Sequence, residues 1–149
     1  MIYFQYKVLC RFLTTNTYLH RIGYHDTEVC TFCKSTPETL SHLFYDCEHV
    51  KPFWRDARNW FELFFATNVN LNCKTILLGN PKGTVLENHI IFICKNDIYH
   101  CRLNNIIPNF RSTLGKIMTV KKIEKSIAET SGNFTPFLKK WQYLDTFDI

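Results

Sequence analysis

The chain reads as helix along most of its length, because its apolar residues recur at three- and four-residue spacings rather than alternating. Residues 3–13 place Phe4, Val8 and Phe12, and likewise Leu9 and Leu13, at i,i+4 separations, which predicts a first helix. Thr14, Thr15 and Asn16 offer side-chain caps for a short helix through Arg21, and Gly23 suits the left-handed residue that closes one. Thr36-Pro37-Glu38 supplies a hydroxyl cap, a first-turn proline and an acid, so another helix is expected to start there. The clearest stripe runs from Val50 through Phe53, Trp54, Ala57, Trp60, Phe61 and Phe64, with Lys51, Arg55, Asp56, Arg58 and Glu62 opposite. Such a stripe is ordinary core in preference to a base-stacking surface.

Residues 66–83 interrupt the pattern. Asn68, Asn70, Asn72, Asn80, Pro81 and Gly83 make a polar connection, and Thr75-Ile76-Leu77-Leu78 inside it reads as a short buried strand or a hydrophobic plug. Thr84-Val85-Leu86-Glu87 is a capping box that opens a helix to about Asn104. Leu86, Ile90, Ile93, Cys94, Ile98 and Cys101 form its apolar stripe, and Pro108 ends the segment. A helix over residues 111–129 turns Leu114, Ile117, Val120, Ile123 and Ile127 inward, Ser131-Gly132-Asn133 breaks it, and Thr135-Pro136 begins a last short helix bearing Phe137, Leu138, Trp141 and Leu144.

Length and composition narrow the class. The 149 residues suffice for one ordinary domain or two small ones, and a 46% hydrophobic, 15% aromatic chain is not a disordered one. The longest apolar run, Ile90-Ile91-Phe92-Ile93-Cys94, is far too short to span a bilayer, and no basic stretch followed by a long apolar one opens the chain. With neither signal peptide nor transmembrane segment, the expected setting is intracellular, cytoplasmic or nuclear, and reducing. There Cys10, Cys73, Cys94 and Cys101, in apolar surroundings, read as core thiols.

The remaining cysteines carry chemistry. Cys30, Cys33, His42 and Cys47 follow C-x2-C-x8-H-x4-C, and three thiolates with one imidazole fill a tetrahedral Zn²⁺ shell. A closed shell of four side chains is structural, with no position left for a reactive water. A redox dithiol at Cys30 and Cys33 would normally open a helix in a βαβ pattern, which is not visible. His49 rivals Cys47 as a ligand, and His25 is a weaker rival. On an ideal helix Cys47 lies about 140° round from His42, so both reach one metal only if the helix ends or bends near Asp46. The expected fold class is therefore all-α: a small zinc-stapled module over residues 1–65, a linker over 66–83, and a helical, basic C-terminal bundle over 84–149.

The net charge of +5 concentrates in the C-terminal part, mainly between Lys95 and Lys125. Lys116, Lys121, Lys122 and Lys125 project away from the apolar side of their helix. They read either as a solvated face or as a surface for a polyanion, RNA or single-stranded DNA.

Several runs together resemble a known family. Tyr6-Lys7-Val8-Leu9, Thr15-Asn16, Tyr18-Leu19-His20-Arg21-Ile22-Gly23, Cys30-Thr31-Phe32-Cys33, Pro37-Glu38-Thr39, His42-Leu43-Phe44, Cys47 and Phe53-Trp54 are similar to the zinc-binding segment near the C-terminus of LINE-type (non-LTR) retrotransposon reverse transcriptases. The later Leu78-Gly79, Asn88-His89-Ile90-Ile91, Cys101-Arg102 and Glu124-Lys125-Ser126-Ile127-Ala128 resemble the tail that follows it in one branch. The resemblance implies that Cys30, Cys33, His42 and Cys47 hold zinc, in a non-catalytic accessory segment that helps hold RNA or target DNA. The paired aspartates of the polymerase and the endonuclease are absent here, and the missing polymerase domain is an expected partner. A structural or protein-interaction zinc module without nucleic-acid affinity is the alternative.

Overall fold

The computed structural model of the chain describes residues 2–65 and 69–144. Residues 66–68 of the predicted linker, Asn68 among them, and residues 145–149 of the predicted basic region lie outside the described residues. The elements are α1 (Ile2–Leu9), α2 (Asn16–Arg21), a π-helical turn (His42–Asp46), α3 (Lys51–Phe65), α4 (Cys73–Leu78), α5 (Val85–Leu103), α6 (Phe110–Ser131), α7 (Thr135–Trp141) and a 3-10 turn (Gln142–Leu144). Among the described residues there is no β-strand, only an isolated antiparallel bridge between Val29 and Pro37, so the expected all-α class holds.

Local chemistry sets most of the helix starts. Thr15 caps α2 by accepting from the Tyr18 amide at 3.3 Å. The capping box at α5 is complete: Thr84 Oγ1 accepts from the Glu87 amide at 3.1 Å, and Glu87 Oε2 accepts from the Thr84 amide at 2.6 Å. Thr84→Ala is expected to lower stability by about 1 kcal/mol, a cap's usual contribution; an unchanged midpoint in urea denaturation would contradict that. Asn109 caps α6, and Gly132 closes it in the left-handed conformation at φ +66.

Three expected elements come out differently. The first helix stops at Leu9, because the chain turns at Arg11 with φ +56; Phe12 and Cys10 are thereby exposed, while Leu13 is buried. No helix begins at Thr36. Pro37 is held extended against Val29, the Glu38 amide donates to the Glu28 carbonyl at 2.7 Å, and helical backbone starts only at Leu40. Residues 75–78 belong to a short helix rather than a strand, started by Asn72, whose side chain accepts from the Thr75 amide at 2.9 Å. Its plug character is real, since Ile76 is fully buried.

The core is built around α5, which packs against α4, α6, α7 and the π-helical turn. Leu86, Ile90, Ile93, Cys94 and Ile98 are buried as the apolar stripe requires. The α3 stripe is likewise buried or half-buried, and Phe53 meets Phe110 of α6 edge to face at 5.5 Å. On α6 the buried face is rotated from expectation: Thr113, Ile117 and Ala128 are inside, whereas Ile123 and Ile127 are exposed. Polar groups on α5 account for part of that rotation. Buried Asp97 accepts from Thr113 Oγ1 at 2.5 Å and pairs with Lys116 Nζ. On the other side of α5, Lys95 is buried and donates to Gln5 Oε1 at 2.5 Å and the Leu77 carbonyl at 3.0 Å, tying α1 and α4 to it; burial brings its ammonium down to about 8. Among the described residues no helix is long and apolar enough to cross a membrane.

Candidate metal centre

Residues 30–36 form a tight knuckle. The Cys30 amide donates to the Thr36 carbonyl at 2.8 Å, and the Lys34 amide to the Cys30 carbonyl at 2.9 Å. Lys34 takes φ +57, a left-handed conformation costing a non-glycine residue roughly 1–2 kcal/mol. That turn lets the amides of Ser35 and Thr36 point back at Cys33 Sγ, joined by Ser35 Oγ at 3.4 Å. The Phe32 amide points at Cys30 Sγ at 3.4 Å, and the His49 amide at Cys47 Sγ. Each sulfur thus faces backbone donors, which stabilise the thiolate a metal needs.

The other half of the site comes from the π-helical turn. The Cys47 amide bonds to the His42 carbonyl at 3.0 Å, closing a five-residue loop instead of the usual four. The wider turn brings residue i+5 back toward residue i, which resolves the angular mismatch expected of an ideal helix and ends the turn at Asp46. Its opposite face is anchored in the core: Leu43 and Phe44 are fully buried, and Trp54 Nε1 donates to the Phe44 carbonyl at 2.6 Å.

The two halves converge. The ligand atoms of Cys30, Cys33, His42 and Cys47 all lie within 4.8 Å of one another. Cys30 Sγ and Cys47 Sγ are 3.8 Å apart, and Cys33 Sγ and His42 Nε2 are 3.4 Å apart. A tetrahedron with Zn–S of about 2.3 Å and Zn–N of about 2.0 Å has S···S edges of roughly 3.8 Å and S···N edges of roughly 3.5 Å. Those two edges match a zinc tetrahedron in length, and three sulfurs with one imidazole nitrogen are a zinc donor set. Without a cation the sulfurs share protons: Cys30 is raised because its thiol bonds to Cys47 and is buried, and Cys47 is lowered as the acceptor of that bond. Cys33 is partly desolvated, which opposes ionisation. The Ser35 hydroxyl, the Thr36 and Ser35 amides and the His42 ring outweigh that and hold it down to about 5.

The rivals stand elsewhere. His25 is exposed, with Nδ1 2.7 Å from the Thr27 carbonyl oxygen, and the His49 ring faces the Glu48 carboxylate at 3.8 Å.

Behind the knuckle lies a charged network that sequence reading missed. Glu38 is completely buried. Its Oε2 accepts from the Thr31 amide inside the knuckle at 2.7 Å, and its Oε1 accepts from the Asn16 amide at 2.9 Å and from Arg102 Nε at 3.0 Å. Arg102 Nη2 also donates to Asn16 Oδ1 at 2.6 Å, and Asn16 Nδ2 donates to the Val29 carbonyl at 2.7 Å. The end of α5 is thereby bolted to α2 and to the metal loop. No local pattern announces a pair 64 residues apart.

The four lysines of α6 do not form one free face. Lys116 is paired with Asp97, and Lys121 donates to the Leu144 carbonyl at 3.1 Å. Lys122 and Lys125 are exposed, while Lys95 and Arg102 of the basic stretch are buried.

No curated protein and no solved structure matches the chain. Residues 1–54 match a protein-family model described as zinc-binding in reverse transcriptase, and all four clustered residues lie within that span.

Proposed function

We propose that this chain is a non-catalytic, zinc-binding accessory segment of a non-LTR retrotransposon reverse transcriptase, which helps hold RNA or single-stranded DNA for a polymerase domain carried elsewhere. The convergence of Cys30, Cys33, His42 and Cys47 within 4.8 Å, inside the matched span, carries the reading. Bound Zn²⁺ would cross-link the knuckle to the π-helical turn, and four side-chain ligands leave no open position for hydrolytic chemistry. Lys122 and Lys125 are the α6 residues offered to phosphate. Purified protein is expected to hold one equivalent of zinc by elemental analysis and to bind an oligonucleotide in a salt-sensitive way. Less than about half an equivalent after chelator-free purification would defeat the zinc assignment, given the tight binding of structural sites.

A second reading, a protein-interaction zinc module, is favoured by one observation. Lys116 and Lys121 are engaged within the fold, and Met118, Ile123 and Ile127 leave apolar surface on the same helix. Oligonucleotide affinity no greater than that of a neutral control protein would favour it.

A further inference from the structure

The first 25 residues contain Lys7, Arg11 and Arg21 but no aspartate or glutamate. In the structure much of this segment is surface, although Val8 and Leu13 reach the core. Tyr6, Phe12 and Tyr24 are 54%, 57% and 80% exposed, unusual values for aromatic rings. Cations interleave with rings: Lys7 Nζ lies 4.7 Å from the centroid of Tyr3, and the Arg21 guanidinium 5.3 Å from that of Tyr18.

This surface borders a cleft of about 440 Å³ between α1, α2, residues 39–41 and the end of α4. Arg11 and Arg21 stand in its lining together with Thr17 and Ser41, and no acidic side chain lines it. Arg11 is one of three non-glycine residues held at positive φ among the described residues, a conformation that persists only where surrounding contacts over-determine it. A groove with two guanidinium groups in its lining and no carboxylate, with exposed Phe12 between the lining residues Arg11 and Leu13, suits a flexible polyanion with flat bases: phosphates meet the guanidinium groups, and bases stack on exposed rings irrespective of sequence.

We propose that the α1–α2 cleft and its aromatic border bind single-stranded nucleic acid, with Arg11 and Arg21 taking phosphates and Tyr6 and Phe12 stacking bases. The proposal rests on the reading that this chain contacts nucleic acid, but it assigns the main contact to the opposite end of the sequence from Lys122 and Lys125.

The test uses the zinc-loaded full chain and fluorescence anisotropy with a fluorescein-labelled oligouridylate. Arg11→Glu/Arg21→Glu is expected to weaken binding by about tenfold or more and to flatten the log–log salt slope by about 1.4, because each lost single-strand phosphate contact removes about 0.7. Phe12→Ala, which leaves the charges in place, is expected to weaken binding at least about fivefold at unchanged salt slope. Zinc content and circular dichroism establish that both variants are folded. Lys51→Glu/Lys139→Glu, exposed on α3 and α7, makes the same charge change elsewhere and is expected to cost less than about twofold. If the α1–α2 variants bind no worse than that control while Lys122→Glu/Lys125→Glu loses binding, the cleft assignment is wrong and the nucleic-acid reading stands. If the unaltered protein binds no oligouridylate at low salt, both fail, and a protein partner becomes the occupant of this face.

Discussion

Cys33→Ser is expected to abolish zinc retention and unfold residues 28–50, the largest single-residue effect anticipated for this chain. Structural zinc contributes on the order of 10 kcal/mol to the folding of small zinc peptides, comparable with the whole stability of an average domain. Between Thr27 and His42 the chain is otherwise held by buried Phe32, the Val29–Pro37 bridge and the Glu38 network. Regular helix is absent there until Leu40, Lys34 sits in a costly conformation, and the carboxylate of Glu38 replaces apolar filling. The π-helical turn should also relax, since a five-residue loop is a poor hydrogen-bonding solution that ligation would justify. The loss should reach the end of α5 through Arg102, whereas α6, which packs on α5, α3 and α7, should keep most of its protection. Amide hydrogen exchange of the zinc-loaded protein against the variant reads this directly. Unchanged protection over residues 28–50 would mean that the metal does not staple the loop. Equal loss throughout α6 would mean that the chain unfolds as one cooperative unit.

Arg102→Ala is expected to cost about 3–5 kcal/mol, the range for removing one partner of a buried ion pair. For a chain of this size that corresponds to a fall of roughly 6–20 °C in Tm. The cost does not come from the lost attraction alone. It comes from leaving the Glu38 carboxylate fully buried with two amide donors and no cation. Glu38→Gln keeps the shape but weakens the Thr31 and Arg102 bonds together, so zinc affinity should fall about tenfold or more, as loss of the groups that hold a ligand loop in place typically does. Arg111→Ala, at an exposed position, should stay within about 0.5 kcal/mol. Thermal unfolding and a competition titration with a chromophoric chelator give both quantities. A loss below about 1 kcal/mol for Arg102→Ala would show that water reaches Glu38 and that the network does not couple α5 to the knuckle.

What the sequence by itself determined was what short-range physics controls. Helix starts at Thr15, Thr84 and Thr135, the stop at Gly132, and the α3 stripe were legible because caps and periodicity act within a turn or two. The four clustered side chains were legible for the same reason, since metal-ligand spacing is a local constraint, and so was the need for the helix to bend before Cys47. Tertiary structure decided the rest. Thr36-Pro37-Glu38 carries every local sign of a helix start, yet the Val29 bridge and the burial of Glu38 against Arg102 override it, because a partnered buried carboxylate outweighs a propensity of a few tenths of a kcal/mol. Nothing local to α6 marks which of its lysines find partners. Only the positions of Asp97 and Leu144 separate the engaged Lys116 and Lys121 from the exposed Lys122 and Lys125. Burial of Lys95 depends on where Gln5 and the Leu77 carbonyl come to rest, at separations of 90 and 18 residues. Polar partners found at such distances leave no periodic trace in the chain, so only the assembled fold reveals which charges it keeps inside and which it leaves at the surface.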